Sequence, residues 1–239
     1  MTDVAQIWSY LSQGPLLWLT ATLAAYGIGD ACFRAVNRAP VANPVLIAVV
    51  LLGGLLWLTG TPYATYFEGA QFVHFLLGPA TVCLALPLAD NLPRLRRALL
   101  PVAAALLVGS VTAMGSALAI AWAFGADAAL LASLAPKSAT APVAIGIAEG
   151  MGGQPTLTAV LVILTGITGA VIATPLLNLL RLTDWRARGF AVGVASHGIG
   201  TARALQVHPV AGAFAGLGMA LNAVLTALLA PFVLGFFVN

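Results

Sequence analysis

Apolar runs of about twenty residues recur along the whole chain, and a helix of that length is what crosses the ~30 Å hydrocarbon core of a bilayer. The runs lie near 15–34 (PLLWLTATLAAYGIGDACF), 44–60 (PVLIAVVLLGGLLWLTG), 72–89, 98–124, 155–180 and 209–237. Two further stretches, 127–153 and 189–206, are apolar on average but interrupted. Together they predict an all-α polytopic membrane protein of seven or eight segments, one bundle over residues 1–239, with no separate soluble domain. Composition agrees, because 61% of the chain is hydrophobic and 7% charged, against about 45–50% and about 25% in soluble domains.

The basic residues mark topology. Eight of the ten fall in three clusters: Arg34 and Arg38; Arg94, Arg96 and Arg97; Arg181, Arg186 and Arg188. The positive-inside rule places all three in the cytoplasm and the N-terminus outside. The 98–124 span then leaves the cytoplasm and the 155–180 span returns to it, so 127–153 is expected to enter the membrane and turn back, the alternative being a single crossing with the third cluster outside. Pro136, Pro142 and the GMGG run at 150–153 supply the breaks. Such a segment is tolerated at depth only where protein or a water-filled cavity satisfies its backbone. The polar and aromatic stretch TPYATYFEGAQ at 61–71 is expected to be an interfacial connection, since Tyr63, Tyr66 and Phe67 suit the headgroup belt.

Several function classes drop out. Cys32 and Cys83 are too few and too separated for a disulfide framework or a four-ligand metal site. The first fourteen residues hold no Lys or Arg, so the basic start of a cleaved signal peptide is missing and retained spans are expected. No basic helix or arm suits nucleic acid. No Walker lysine loop or zinc-protease motif occurs, and no cofactor is implied. ASHG at 195–198 lacks the G-x-S-x-G elbow because Val194 stands two residues before Ser196. Ser196 and His197 are also adjacent, and adjacent helical residues do not face each other.

Polar residues kept inside apolar sequence carry the rest. Lys137 sits between Pro136 and Ser138, far from any basic cluster; burying such a cation costs about 2.5–3.5 kcal/mol on insertion scales, so it is a functional candidate. The bland reading is a side chain that snorkels to the interface or pairs with Asp30 or Glu149. In SHGIGTAR, Gly198 and Gly200 are expected to loosen the backbone and free amide groups. A helix restarting near Thr201 would put Arg203 in a first turn that favours an anion. His197 is a hydrogen-bonded structural histidine, a ligand-orienting group or a proton carrier. The hydroxyls of Ser138, Thr140, Ser196 and Thr201 would line the cavity or satisfy freed backbone. GFAVG at 189–193 and GAFAG at 212–216 space glycines for close helix packing, within the chain or between subunits.

Two internal echoes accompany these segments. At an offset of 57 residues, Leu77, Pro79, Thr81, Leu107, Gly109 and Ala113 match Leu134, Pro136, Ser138, Leu164, Gly166 and Ala170. APKSATAP at 135–142 also pairs with ASHGIGTAR at 195–203. Repeats with interrupted helices in corresponding places point to a transporter's binding site.

The PKS-x-T-x-P motif at 136–142, the ASHG-x-GTA motif at 195–202 and the LGPATVCLALPL stretch at 77–88 resemble the LrgB/CidB family of bacterial membrane proteins. The likeness covers most of the chain and is strongest from about 130 to 220. It implies a bacterial inner-membrane protein, often accompanied by a smaller LrgA/CidA-type partner. The family was named for antiholin-like or holin-like regulation of murein hydrolase activity and autolysis. Other members, including a plastid protein exchanging glycolate and glycerate, are associated with small carboxylates such as pyruvate.

The residues favour transport, because a lesion-forming helix has no evident need for cations inside the membrane. The expected site joins the two interrupted segments, with Lys137 and Arg203 on a carboxylate. Ser138, Thr140, Gly198, Gly200 and Thr201 add hydrogen bonds, and His197 orients the ligand or carries a coupled proton. The competing reading is a homo-oligomer, or an assembly with the small partner, acting through packing faces.

Overall fold

The computed structural model describes residues 14–76, 79 and 99–238. Most of the expected third span, the Arg94–Arg97 cluster, Cys83 and the 77–88 motif lie outside the described residues, as do Leu77 and Thr81 of the first echo. Every regular element described is helical. The chain divides into two compact units, residues 1–83 and 84–239.

In the first unit, α1 (Pro15–Ala35) packs against α2 (Pro44–Thr59) and α3 (Tyr63–Phe75). Proline opens α1 and α2, where its missing N–H is harmless. Asn43 caps α2 by accepting from the Val45 and Leu46 amides, and Gly60 ends it in the left-handed conformation. Trp18 is fully buried with Tyr66 edge-on at 5.9 Å. The expected 61–71 connection is instead mostly helix, because Tyr66 and Gly69 pack on α1 around Trp18 rather than lying free. Asp30 pairs with Arg34 one turn along α1.

The second unit holds α4 (Leu99–Ala123), α5 (Ala128–Leu134), α6 (Ala141–Gly150), α7 (Pro155–Leu179), α8 (Trp185–Val207) and α9 (Pro209–Val238). Helices α1, α4, α7 and α9 are long and apolar enough to cross a membrane, and their bounds follow the expected spans closely.

Neither α5 nor α6 is long enough, at about 10 and about 15 Å by the helical rise. Residues 135–140 between them are turn, and α6 starts on the Ala141–Pro142 pair. The chain then comes back to where it left. Gly153 lies against Ala132 and Ser133, the Gln154 amide donates to Ser133 Oγ at 2.7 Å, and Thr158 Oγ1 donates to the Ser133 carbonyl at 3.2 Å. Residues 128–153 thus form a broken hairpin whose tip is 136–140.

The second hairpin is hidden inside α8. A straight helix would hold Trp185 and His208 about 34 Å apart, yet their rings stack at 4.8 Å and 2°. A Cβ on Gly200 would meet the Val192 side chain, eight residues earlier. The chain therefore doubles back, and the only non-helical residues within α8 are Ser196 and His197. The break falls there, not at the expected glycines: Gly198 and Gly200 are helical. The turn runs through His197 at φ +40°, ψ −136°, a backbone region that glycine favours. Gly200 serves packing instead, since a Cβ would strike Ser196 and Val192.

The hairpin mouths lie at opposite ends of α7, one leading into Pro155 and the other following Leu179 by five residues. Helix α9 runs past both. Near its start, glycines of the second hairpin admit its backbone, Gly189 against the Ala211 carbonyl and Gly193 against that of Ala215. Near its end, Ala230 and Leu234 pack with Leu131, Ala132 and Ala135 of the first hairpin. The glycine spacing therefore acts within the chain.

Candidate functional site

The two hairpin tips meet at one residue of α7. Ala139 of the first tip shares a buried cluster with Val162, and His197 of the second makes a 2.8 Å hydrogen bond from Nε2 to the Val162 carbonyl. A carbonyl only accepts, so Nε2 carries the hydrogen and Nδ1 is left for a ligand or a proton. Glycines on α7 make the room: a Cβ at Gly166 would meet the His197 ring, and one at Gly169 the Ser196 side chain.

Lys137 is half-buried and donates from Nζ to Ser138 Oγ at 3.3 Å. Its tip and that of His197 meet at Val162. Within this unit no described acid pairs with it. Glu149 is exposed on α6, and Asp127 and Asp184 cap α5 and α8 by accepting from the Leu130 and Arg186 amides. The structure thus brings together Lys137, Ser138 and His197. Thr140 is the N-cap of α6 with no side-chain capping bond, and Gly198 opens the returning arm of the second hairpin, with Met219 its nearest neighbour. Two helix N-termini, of α6 and of that arm, therefore begin at the tips. There the unsatisfied N–H groups and the macrodipole favour an anion.

Thr201 has a different task, donating from Oγ1 to the His197 carbonyl at 2.8 Å and closing the first turn after the break. Arg203 is not in that turn, because the helix resumes at 198 and not near 201. It lies nearer the mouth of the second hairpin, in the wall of a small cavity with Trp185, Arg188 and Thr174. In that mouth Arg188 donates to the Leu182 carbonyl at 2.9 Å and to Asn178 Oδ1 at 2.7 Å, and covers the Trp185 ring at 4.8 Å. Lys137, at the first hairpin's tip, and Arg203, nearer the second hairpin's mouth, are thus not brought onto one site. A cavity of about 240 Å³ runs between α7 and the outgoing arm as far as Ser196.

Asn222 and Ser110 also belong to the tips. Asn222 Nδ2 donates to the Ser138 carbonyl at 3.1 Å, and Asn222 Oδ1 accepts from Ser110 Oγ at 2.6 Å. All three residues are buried. Neither Asn222 nor Ser110 is charged or part of a motif, but a lone amide within the 30-residue apolar α9 is a signal of its own.

Fold and site together define a class: a polytopic helical membrane protein with two broken hairpins, opening at opposite ends of one span and meeting at buried polar tips. The chain belongs to the LrgB-like family, which matches residues 22–236. It is 37% identical over 194 residues to the uncharacterized protein YwbG of Bacillus subtilis, covering 81% of this chain and 86% of the relative. It is 32% identical over 216 residues to the Holin-like protein CidB of Staphylococcus epidermidis, covering 90% and 94%. The Holin-like protein CidB of Staphylococcus aureus is 33% identical over 192 residues, 80% and 84% of the two chains. No solved structure matches.

Proposed function

We propose that the chain is a transporter of small carboxylates of the pyruvate or glycolate kind in a bacterial inner membrane, with the substrate bound between the hairpin tips. The observation that carries this is the meeting at Val162 of two tips, one carrying Lys137 and the other His197 and each starting a helix, with no described acid of the unit paired with the lysine. A carboxylate would be held by the ammonium and by N–H groups at the starts of α6 and the returning arm. Ser138 and Thr140 would add hydroxyls. His197 Nδ1 would orient the ligand or carry a coupled proton. Arg203, nearer the mouth, would meet the substrate on its way to the tip. Each hairpin re-enters from its own side, so moving one at a time exposes the site alternately.

The test is uptake of radiolabelled pyruvate, glycolate and lactate into proteoliposomes under an imposed proton gradient. Saturable uptake that is lost in Lys137→Met supports the reading. No uptake, even with a small LrgA/CidA-type partner co-reconstituted, rejects it.

The names of the relatives favour a second reading. Staphylococcal CidB proteins are called holin-like, and on that footing this chain would act as a holin-like or antiholin-like regulator of murein hydrolase activity. It would do so as a homo-oligomer or with the small partner. Its signature is unselective dye release that rises with protein density, with no saturation by any carboxylate.

A further inference from the structure

Each hairpin tip is tied to the spanning helix that follows the other hairpin. The second tip is tied by His197 to the Val162 carbonyl of α7. The first is tied by Asn222 of α9 to the Ser138 carbonyl. We infer that Asn222 is a positioning residue that holds the first hairpin's tip closed, as the counterpart of the His197–Val162 bond.

Three observations carry this. The amide is used at both ends, because Ser110 of α4 donates to Oδ1 and so fixes which way the amide faces, leaving Nδ2 aimed at Ser138. Prolines flank the tip at 136 and 142, and the Lys137–Ser138 stretch between them is turn rather than helix. The Ser138 carbonyl accordingly takes its hydrogen bond from a side chain of a distant helix, not from its own segment. Third, α9, like α7, is in contact with both hairpins, near its start with Gly189 and Gly193 and near its end with Leu131 and Ala135. A movement of the second hairpin against α9 therefore acts on the same helix that holds the first tip. The two ties differ in chemistry: Asn222 offers a neutral amide, whereas the second tie runs through an imidazole ring.

This inference rests on the transport reading only for its consequence, since closure of the tip is measurable without substrate. The full chain, with Cys32 and Cys83 changed to Ser, carries one reporter at a time, Ser138→Cys or Ser196→Cys. It is labelled in proteoliposomes with a membrane-impermeant methanethiosulfonate from either side. Adding Asn222→Leu should raise labelling of the Ser138→Cys reporter about tenfold, the factor that corresponds to one buried hydrogen bond. The rise should come only from the side on which α7 begins, the side opposite Arg181 and Arg186. Ser110→Ala, a milder change that leaves Asn222 in place, should raise it by a smaller factor. The Ser196→Cys reporter should stay as slow as before in both variants.

Unchanged labelling at the Ser138→Cys reporter overturns the inference. So does an equal rise at both reporters, which is general loosening. A native protein that shows no saturable uptake, together with the one-sided rise, sinks the transport reading while the tie stands. Where uptake is measurable, the Asn222→Leu variant should lose maximal rate more than apparent affinity, because the site residues remain while the closed state is depopulated.

Discussion

The two hairpins solve one problem with opposite chemistry. The first breaks its helix by sequence: Pro136 and Pro142 remove amide donors on either side of Lys137, and the chain returns through the glycines at 152 and 153. The second has no proline between Trp185 and Val207 and turns back at His197, a residue with a Cβ held at φ +40°. The first tip needs a partner for a carbonyl and finds it in Asn222; the second spends its own side chain on the Val162 carbonyl. A proline break is built into the chain before it folds. A strained histidine turn exists only because α7 offers glycines at 166 and 169 to receive the ring and the neighbouring Ser196.

The largest expected effects test whether both tips serve one site. Lys137→Met should lower saturable carboxylate uptake by about 10- to 100-fold, the loss of a charged hydrogen-bonding partner, with Lys137→Arg retaining part of it. Loss confined to substrates with a second polar group would show that the lysine does not hold the carboxylate. His197→Gly sharpens the contrast in backbone chemistry. It should relieve strain of about 1–3 kcal/mol while deleting the Val162 tie, so the melting temperature in detergent should hold within a few degrees as uptake falls. A protein that no longer folds would mean the ring, not the turn, organises the second hairpin.

Packing differs between the hairpins as well. A Cβ at Gly193 would run into the Ala215 carbonyl, whereas one at Gly146 on α6 meets nothing within 4 Å. Gly193→Ala should therefore destabilise by about 1–3 kcal/mol through overpacking. Gly146→Ala should stabilise by about 0.5–1 kcal/mol through helix propensity. Thermal unfolding of the two variants in the same detergent gives the sign directly, and a neutral Gly193→Ala would show that α9 is not closely docked.

The smallest effect concerns the mouth of the second hairpin. Hydrogen bonding from Arg186 holds the Asp184 carboxyl below the ordinary carboxylate range. A depressed folded-state value means its stabilisation is fully present above the ordinary carboxylate pKa and is lost as pH falls through the lower, folded one. The pair is about half exposed, so the effect should be slight. Asp184→Asn, which keeps a capping oxygen but loses the charge that Arg186 pairs with, should lower stability slightly at neutral pH and flatten the acid limb of the stability profile below about pH 4.

Much of this was legible in the order of residues. Run length and the prolines at 15, 44, 155 and 209 delimit α1, α2, α7 and α9, because apolar transfer and the missing N–H act on each segment alone. The same is true of the break at 135–140 and of Lys137 as an expensive residue worth explaining. The turn at Ser196–His197 was not legible at its true place. Nearby Gly198 and Gly200 are the residues local propensity would choose, and only packing against α7 and α9 moves the reversal two residues earlier. Nor could spacing separate Arg203 from Lys137, since both lie beside a break in the sequence and only the doubling back of α8 carries one toward the mouth. The roles of Asn222 and Ser110 were likewise decided by tertiary structure. An amide and a hydroxyl acquire a direction only when helices distant in sequence bring a carbonyl within hydrogen-bonding distance, and no local pattern encodes that approach.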